Sequence, residues 1–247
     1  MTLSKSTQTG SGGLLGRILE TPDLVAVVQS LEPRMLYRLV EQVGLEDAGE
    51  IITLASTAQI EKIFDDDLWH SKRIGRDETF DPERFGLWLQ VLLEAGEEFA
   101  ARRLTELDPD IVTLGFCRLV LVVDVDQLAV AMADPGDDER MLDKALESSL
   151  YHEFDQYQVI ARRSDGWDAV LSILVALDKN HHDFLDQLLD RCCHISTGII
   201  ENHGGLYDVL TADETIEVDA AATREGRRAH KPSNAATPSS RRPRPEP

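Results

Sequence analysis

The stretch LEPRMLYRLVEQVGLEDAGEIITLASTAQIEKIFDDDLW, residues Leu31–Trp69, decides the fold class. Its apolar residues fall in three sets: Leu36, Leu39, Val40 and Val43, then Ile51, Ile52, Leu54 and Ala55, then Ile60, Ile63 and Phe64. Recurrence every three to four residues places each set on one face of an amphipathic helix. The runs are short, so the segment reads as a string of short helices joined by turns. Pro33 stands where one of them can begin, because proline lacks an N–H that a first helical turn leaves unpaired anyway.

Outward from this stretch the same punctuation recurs at Thr21-Pro22, Asp81-Pro82, Asp108-Pro109 and Asp134-Pro135, each with a side chain able to cap the exposed N–H groups. Leu14, Leu15, Ile18 and Leu19 form an earlier apolar stripe, and Leu24, Val25, Val28 and Leu31 the next. Downstream, Phe85 to Leu93 and then Phe99, Leu104 and Leu107 continue the pattern. Ile111 to Val123 is apolar nearly all round and predicts a central, buried helix. Helices are expected again through Met141–Leu150 and on to Ile160, over Trp167–Leu177, from Asp178 to Ile195, and from Leu206 to Ala222 after the break at Gly204-Gly205. The expected class is all-α: an irregular helical-repeat, solenoid-like array of short amphipathic helices without a fixed period. Residues 1–13 read as a flexible leader, 14–222 as the helical domain with a candidate subdivision near 134–138, and 223–247 as a disordered basic tail rich in Pro, Ser and Arg.

The 247 residues are 42% hydrophobic, enough for a core without disulfide or metal support. Formal net charge is −20; the tail from Thr223 has seven Lys/Arg against two Glu, or +5, leaving −25 on the rest. So negative a body repels nucleic acid; it suits solubility first, and also cation attraction or a basic protein partner. The odd count of three cysteines, two adjacent, fits a reducing cytoplasm. The N-terminal residues carry no apolar signal segment, and no run approaches the ~20 apolar residues of a membrane span.

Leu31–Trp69, with FDPERFGLWLQVLLEAGEE (Phe80–Glu98), LTELDPDIV (Leu104–Val112) and ENHGGLYDVLTADE (Glu201–Glu214), resembles a bacterial family of uncharacterised helical-repeat proteins over about residues 14 to 230. The resemblance implies a helical fold and brings no catalytic residues with it. It also implies a longer helical continuation after Ala222–Lys231, where this chain turns to Pro/Ser/Arg-rich sequence. The leucine–acid–proline turns between short helices are similar in texture to the cytosolic helical domain of the magnesium transporter E family.

The richest polar cluster is HHDFLDQLLDRCCHIS, His181–Ser196. On a helix His182, Asp186, Asp190 and His194 lie four residues apart, a stripe of imidazole and carboxylate that could face a divalent metal. The preferred reading is a solvated face, with Leu185, Leu188, Leu189 and Cys192 buried opposite. Cys192-Cys193-His194 lacks zinc-site spacing, and its cysteines are expected to be structural. Asp65-Asp66-Asp67 and Asp134–Glu139 read as acidic loops without calcium-loop spacing. Gly10–Gly13 lacks the Lys-Ser/Thr of a phosphate loop, and no G-x-S-x-G or kinase set occurs. His152, Glu153 and Asp155 are expected to pair locally on a helix, and Trp69, Trp88 and Trp167 to fill the core. No cofactor is called for. The functional expectation is a non-enzymatic interaction or scaffold protein that also forms a weak homodimer through Leu206, Val209 and Leu210. An acidic regulatory domain responding to divalent cations ranks second, and an enzyme of unrecognised class third.

Overall fold

The structure, a computed structural model, describes residues 23–70, 78–132 and 144–211. The expected leader, the tail, the loop at 134–138 and the segment 212–222 lie outside the described residues. Eleven α-helices and two small sheets make up the described residues. The protein is therefore mainly α, and its strands correct the all-α expectation.

The first half is a run of helices: α1 (Leu24–Ser30), α2 (Pro33–Val43), a 3₁₀ turn (Glu46–Ala48), α3 (Gly49–Leu54) and α4 (Thr57–Asp67). Then come α5 (Pro82–Glu94), α6 (Glu97–Glu106) and α7 (Pro109–Leu119). Pro33, Pro82 and Pro109 each open a helix, and Asp81 and Asp108 cap α5 and α7 by accepting from the N–H of Arg84 and of Asp110. At α4 a capping box operates, Ser56 and Gln59 satisfying each other's backbone N–H. The buried Gln59 amide also donates to the carbonyls of Val28 at 3.0 Å and Leu31 at 2.8 Å, which ties α4 to the end of α1. A two-residue ladder pairs β1 (Trp69–His70) with β2 (Thr79–Phe80). Phe64, Trp69, Phe80, Phe85, Trp88 and Phe116 pack edge-on or tilted at 5.0 to 6.3 Å between centroids. Gly115 is needed here, because a methyl group on it would overlap the Phe85 ring. Trp69, Trp88 and Trp167 are all buried.

The expected central helix stops at Leu119, and β3 (Val120–Asp124) replaces its last turn, followed by α8 (Val125–Met132). The run Val120-Leu121-Val122-Val123 is buried on both faces, and a short apolar run of that kind carries no period by which to tell strand from helix. Tyr151 to Ile160 is likewise not helical. β4 (Tyr151–Phe154) and β5 (Tyr157–Ala161) form a hairpin that turns at Asp155-Gln156. The sheet order is β3-β5-β4, antiparallel throughout, so β5 pairs with a strand that precedes 133–143 and one that follows it. The two expected helices, Trp167–Leu177 and Asp178–Ile195, are α9 (Trp167–Asn180) and α10 (His182–Asn202), their boundary moved to His181 (φ −143°, ψ 45°), with α11 (Leu206–Thr211) after Gly204-Gly205.

Helix α9 packs on α5 and α6, while α10 lies along β3 and α7. Most of the core is one apolar cluster reaching from Val28 to Cys192. A smaller one joins Leu121, Val123, Ile160, Ile199, Leu206 and Val209. Leu206 and Val209, expected at a dimer contact, are thus buried within the chain itself.

Candidate functional site

Antiparallel pairing fixes what each edge of the three-stranded sheet offers. Ala161 N–H donates to the Leu150 carbonyl at 2.8 Å, so Leu150–Ala161, His152–Val159 and Phe154–Tyr157 are the hydrogen-bonded pairs. The backbone groups of Tyr151 and Glu153 therefore turn away from β5, and among the described residues no strand meets them. On the opposite edge Val122 N–H points outward, and the buried hydroxyl of Ser196 on α10 accepts from it at 3.1 Å. Among the described residues, a helix covers one edge and no strand pairs with the other. Beside the open edge, Leu150 and Tyr151 stay 45% and 48% exposed.

The hairpin tip carries Asp155 at φ +46°, a region that Asp tolerates better than most residues. Its carboxylate meets the start of α10. His182 Nε2 lies 3.5 Å from Asp155 Oδ2 and 3.5 Å from Asp186 Oδ2, one turn along α10. Its other nitrogen, Nδ1, lies 3.0 Å from Asp178 Oδ1 near the end of α9. Ligand atoms of Asp155, His182 and Asp186 all fall within 4.8 Å of one another, with all three side chains exposed. The hydrogen bond to Asp178 and then the negative charge of Asp186 raise the His182 pKa; desolvation opposes them, and the charges of Asp155 and Asp178 add to the rise.

Of the four residues expected to form a metal stripe, the structure thus brings two together, His182 and Asp186. Asp190 instead accepts from Tyr157 Oη at 3.4 Å, a second tie between hairpin and helix. His194 is exposed further along α10 and is no part of the group. Leu185, Leu188, Leu189 and Cys192 are buried on the opposite face, as expected. Asp155 and Asp178 were missed as members. Asp178 was readable as the residue four before His182, whereas Asp155 comes from a hairpin that periodicity had read as helix.

Two other expectations change. Asp65-Asp66-Asp67 is the last turn of α4, not a loop, and Asp67 is buried. His152 and Glu153 sit on exposed β4, where successive side chains point to opposite faces and cannot pair as on a helix. Cys117 and Cys192 are buried free thiols; the neighbouring Cys117 thiol and burial push the Cys192 pKa far up, and Cys192 Sγ donates to the Thr113 carbonyl at 3.9 Å, which suits a structural role. A cleft of about 350 Å³ between α5 and α9 is lined by Leu87, Leu119, Trp167 and Val170, with the Glu83–Arg163 ion pair at its polar side.

These features define a mainly α-helical protein with a small three-stranded sheet and an exposed histidine–carboxylate group where that sheet meets a helix. The chain belongs to the family of unknown function DUF6178, whose model matches residues 7–198. The match ends before the stretch Glu201–Glu214. No curated protein and no solved structure matches the chain. Among the described residues no helix is long and apolar enough to cross a membrane.

Proposed function

We propose that this chain is a non-enzymatic interaction protein of the cytoplasm, a helical array that takes an extended partner segment along its open strand edge. The observation that carries the reading is β4, whose Tyr151 and Glu153 backbone groups face outward while the opposite edge is sealed by Ser196. An added strand would satisfy those groups, and alternate side chains would rest near Leu150 and Tyr151. The charge of −20 favours a basic segment. The test is affinity capture from native lysate with the full chain, in chelator, comparing the parent with Glu153→Pro. Proline removes an outward N–H that the sheet itself does not use, and strands accept it at such edge positions. A defined partner held by the parent and lost by the variant, at unchanged circular dichroism, supports the reading. A partner held equally by both overturns it.

A second reading, an acidic regulatory domain that answers to divalent cations, draws on the convergence of Asp155, His182 and Asp186.

A further inference from the structure

We propose that Asp155, His182 and Asp186 form a site for a divalent first-row transition-metal ion, gripped between the tip of the β4–β5 hairpin and the first turns of α10. The inference deepens the cation reading and is independent of the strand-edge reading.

The chemistry starts at the imidazole. Asp178 lies 3.0 Å from Nδ1 and can accept its proton, which leaves Nε2 as the nitrogen that meets Asp155 and Asp186, each at 3.5 Å. A lone pair facing two carboxylate oxygens is repelled by both, so the arrangement calls for a cation at its centre: a proton on Nε2, or a metal ion in its place. A histidine whose second nitrogen is held by a carboxylate is also the usual form of a metal-ligating histidine, because that bond fixes the tautomer and raises the basicity of the ligating nitrogen.

The geometry is close to what an ion needs. Bonds of ~2.1 Å set neighbouring ligand atoms ~3 to 3.4 Å apart. Two of the separations here are 3.5 Å and every one is within 4.8 Å, so rotating exposed carboxylates closes the set. The scaffold under them is fixed on two sides. His182 and Asp186 are one turn apart on a helix of 21 residues. Asp155 is held by the hairpin ladder and by the Tyr157–Asp190 bond one turn further along α10. An imidazole favours zinc-like ions over magnesium or calcium, and carboxylates complete a set that manganese and zinc both accept. Three protein ligands leave further positions for water.

The experiment is calorimetric titration of the chelator-stripped full chain at pH 7.5 with Zn²⁺, and separately with Mg²⁺. One equivalent of Zn²⁺ should bind. Asp155→Asn should weaken binding at least ~10-fold, Asp178→Asn ~10-fold through the orientation of the ring, and His182→Gln should abolish it. Asp155→Asn is the decisive variant, because asparagine tolerates the same turn conformation and the fold is retained. Asp183→Asn, on the same helix but outside the group, should bind like the parent. The proposal fails if Zn²⁺ does not saturate at one equivalent, if Asp155→Asn binds like the parent, or if Asp183→Asn is weakened as much. Equal affinity for Mg²⁺ overturns the assignment to a transition metal. Because strand-edge capture is performed in chelator, either reading can fail without the other.

Discussion

The side chain of Asp67 joins α4 to α2 and α5. Only 5% exposed, its carboxylate accepts from Trp88 Nε1 at 2.6 Å, Arg84 Nε at 2.7 Å and Tyr37 Oη at 3.2 Å. Asp67→Ala leaves an arginine and an indole N–H without their acceptor, so a loss of about 3–5 kcal/mol is expected in urea unfolding. Asp67→Asn should cost less, since an amide oxygen still accepts. His182 supplies the pH dependence at this scale. Its raised pKa stabilises the folded protein below the unfolded value of about 6.5, and that contribution fades as pH rises through the folded value. In chelator, its ring proton resonances should titrate above pH 6.5 in the parent and at lower pH in Asp178→Asn. A midpoint unchanged by that substitution would assign the shift to other charges.

At the scale of elements, the covering of β3 by α10 is the contact to probe. Ser196→Ala removes the acceptor of the buried Val122 N–H and should cost about 1–3 kcal/mol, far more than Thr197→Ala beside it. The helices of the first half were legible because proline and Asp or Ser mark where they start, and because Leu36, Ile60 and Leu89 each recur on a buried face. The strands were not, for two physical reasons. Val120–Val123 is buried on both sides, which erases the alternation that marks a half-exposed strand. Tyr151–Ala161 turns through Asp155-Gln156 without the Asn-Gly or Asp-Gly signal of a tight hairpin. The candidate site was half legible for the same reason. His182 and Asp186 share a helix, and spacing finds them, while Asp155 arrives by tertiary contact.

For the molecule as a whole, charge is the dominant feature. With a formal −20 on 247 residues, repulsion between carboxylates opposes the compact state. The screening length falls from ~30 Å at 0.01 M salt to ~3 Å at 1 M. The melting temperature should therefore climb as NaCl is raised from low ionic strength, and the gain should level off once screening is complete. A flat response would mean that the carboxylates are neutralised locally by partners such as Arg84 and Arg103. Leu206 and Val209 pack inside the second cluster, with Leu210 partly buried against it, so Val209→Glu should disrupt that cluster and lower the melting temperature.

The sheet order also has a kinetic meaning. Phe154 meets Tyr157 across two residues, but Val120 pairs with Ala161 far along the sequence. Hairpins form in ~1–10 μs, while closing a long loop loses entropy before any contact repays it. The hairpin should thus form early and β3 should dock late. Substitutions at the β3–α10 contact, Ser196→Ala first among them, should speed unfolding and leave the refolding arm of the chevron nearly unmoved. Changes at the Asp155-Gln156 turn should slow refolding instead. A kinetic trace with the opposite pattern would place the joining of distant strands at the beginning of folding.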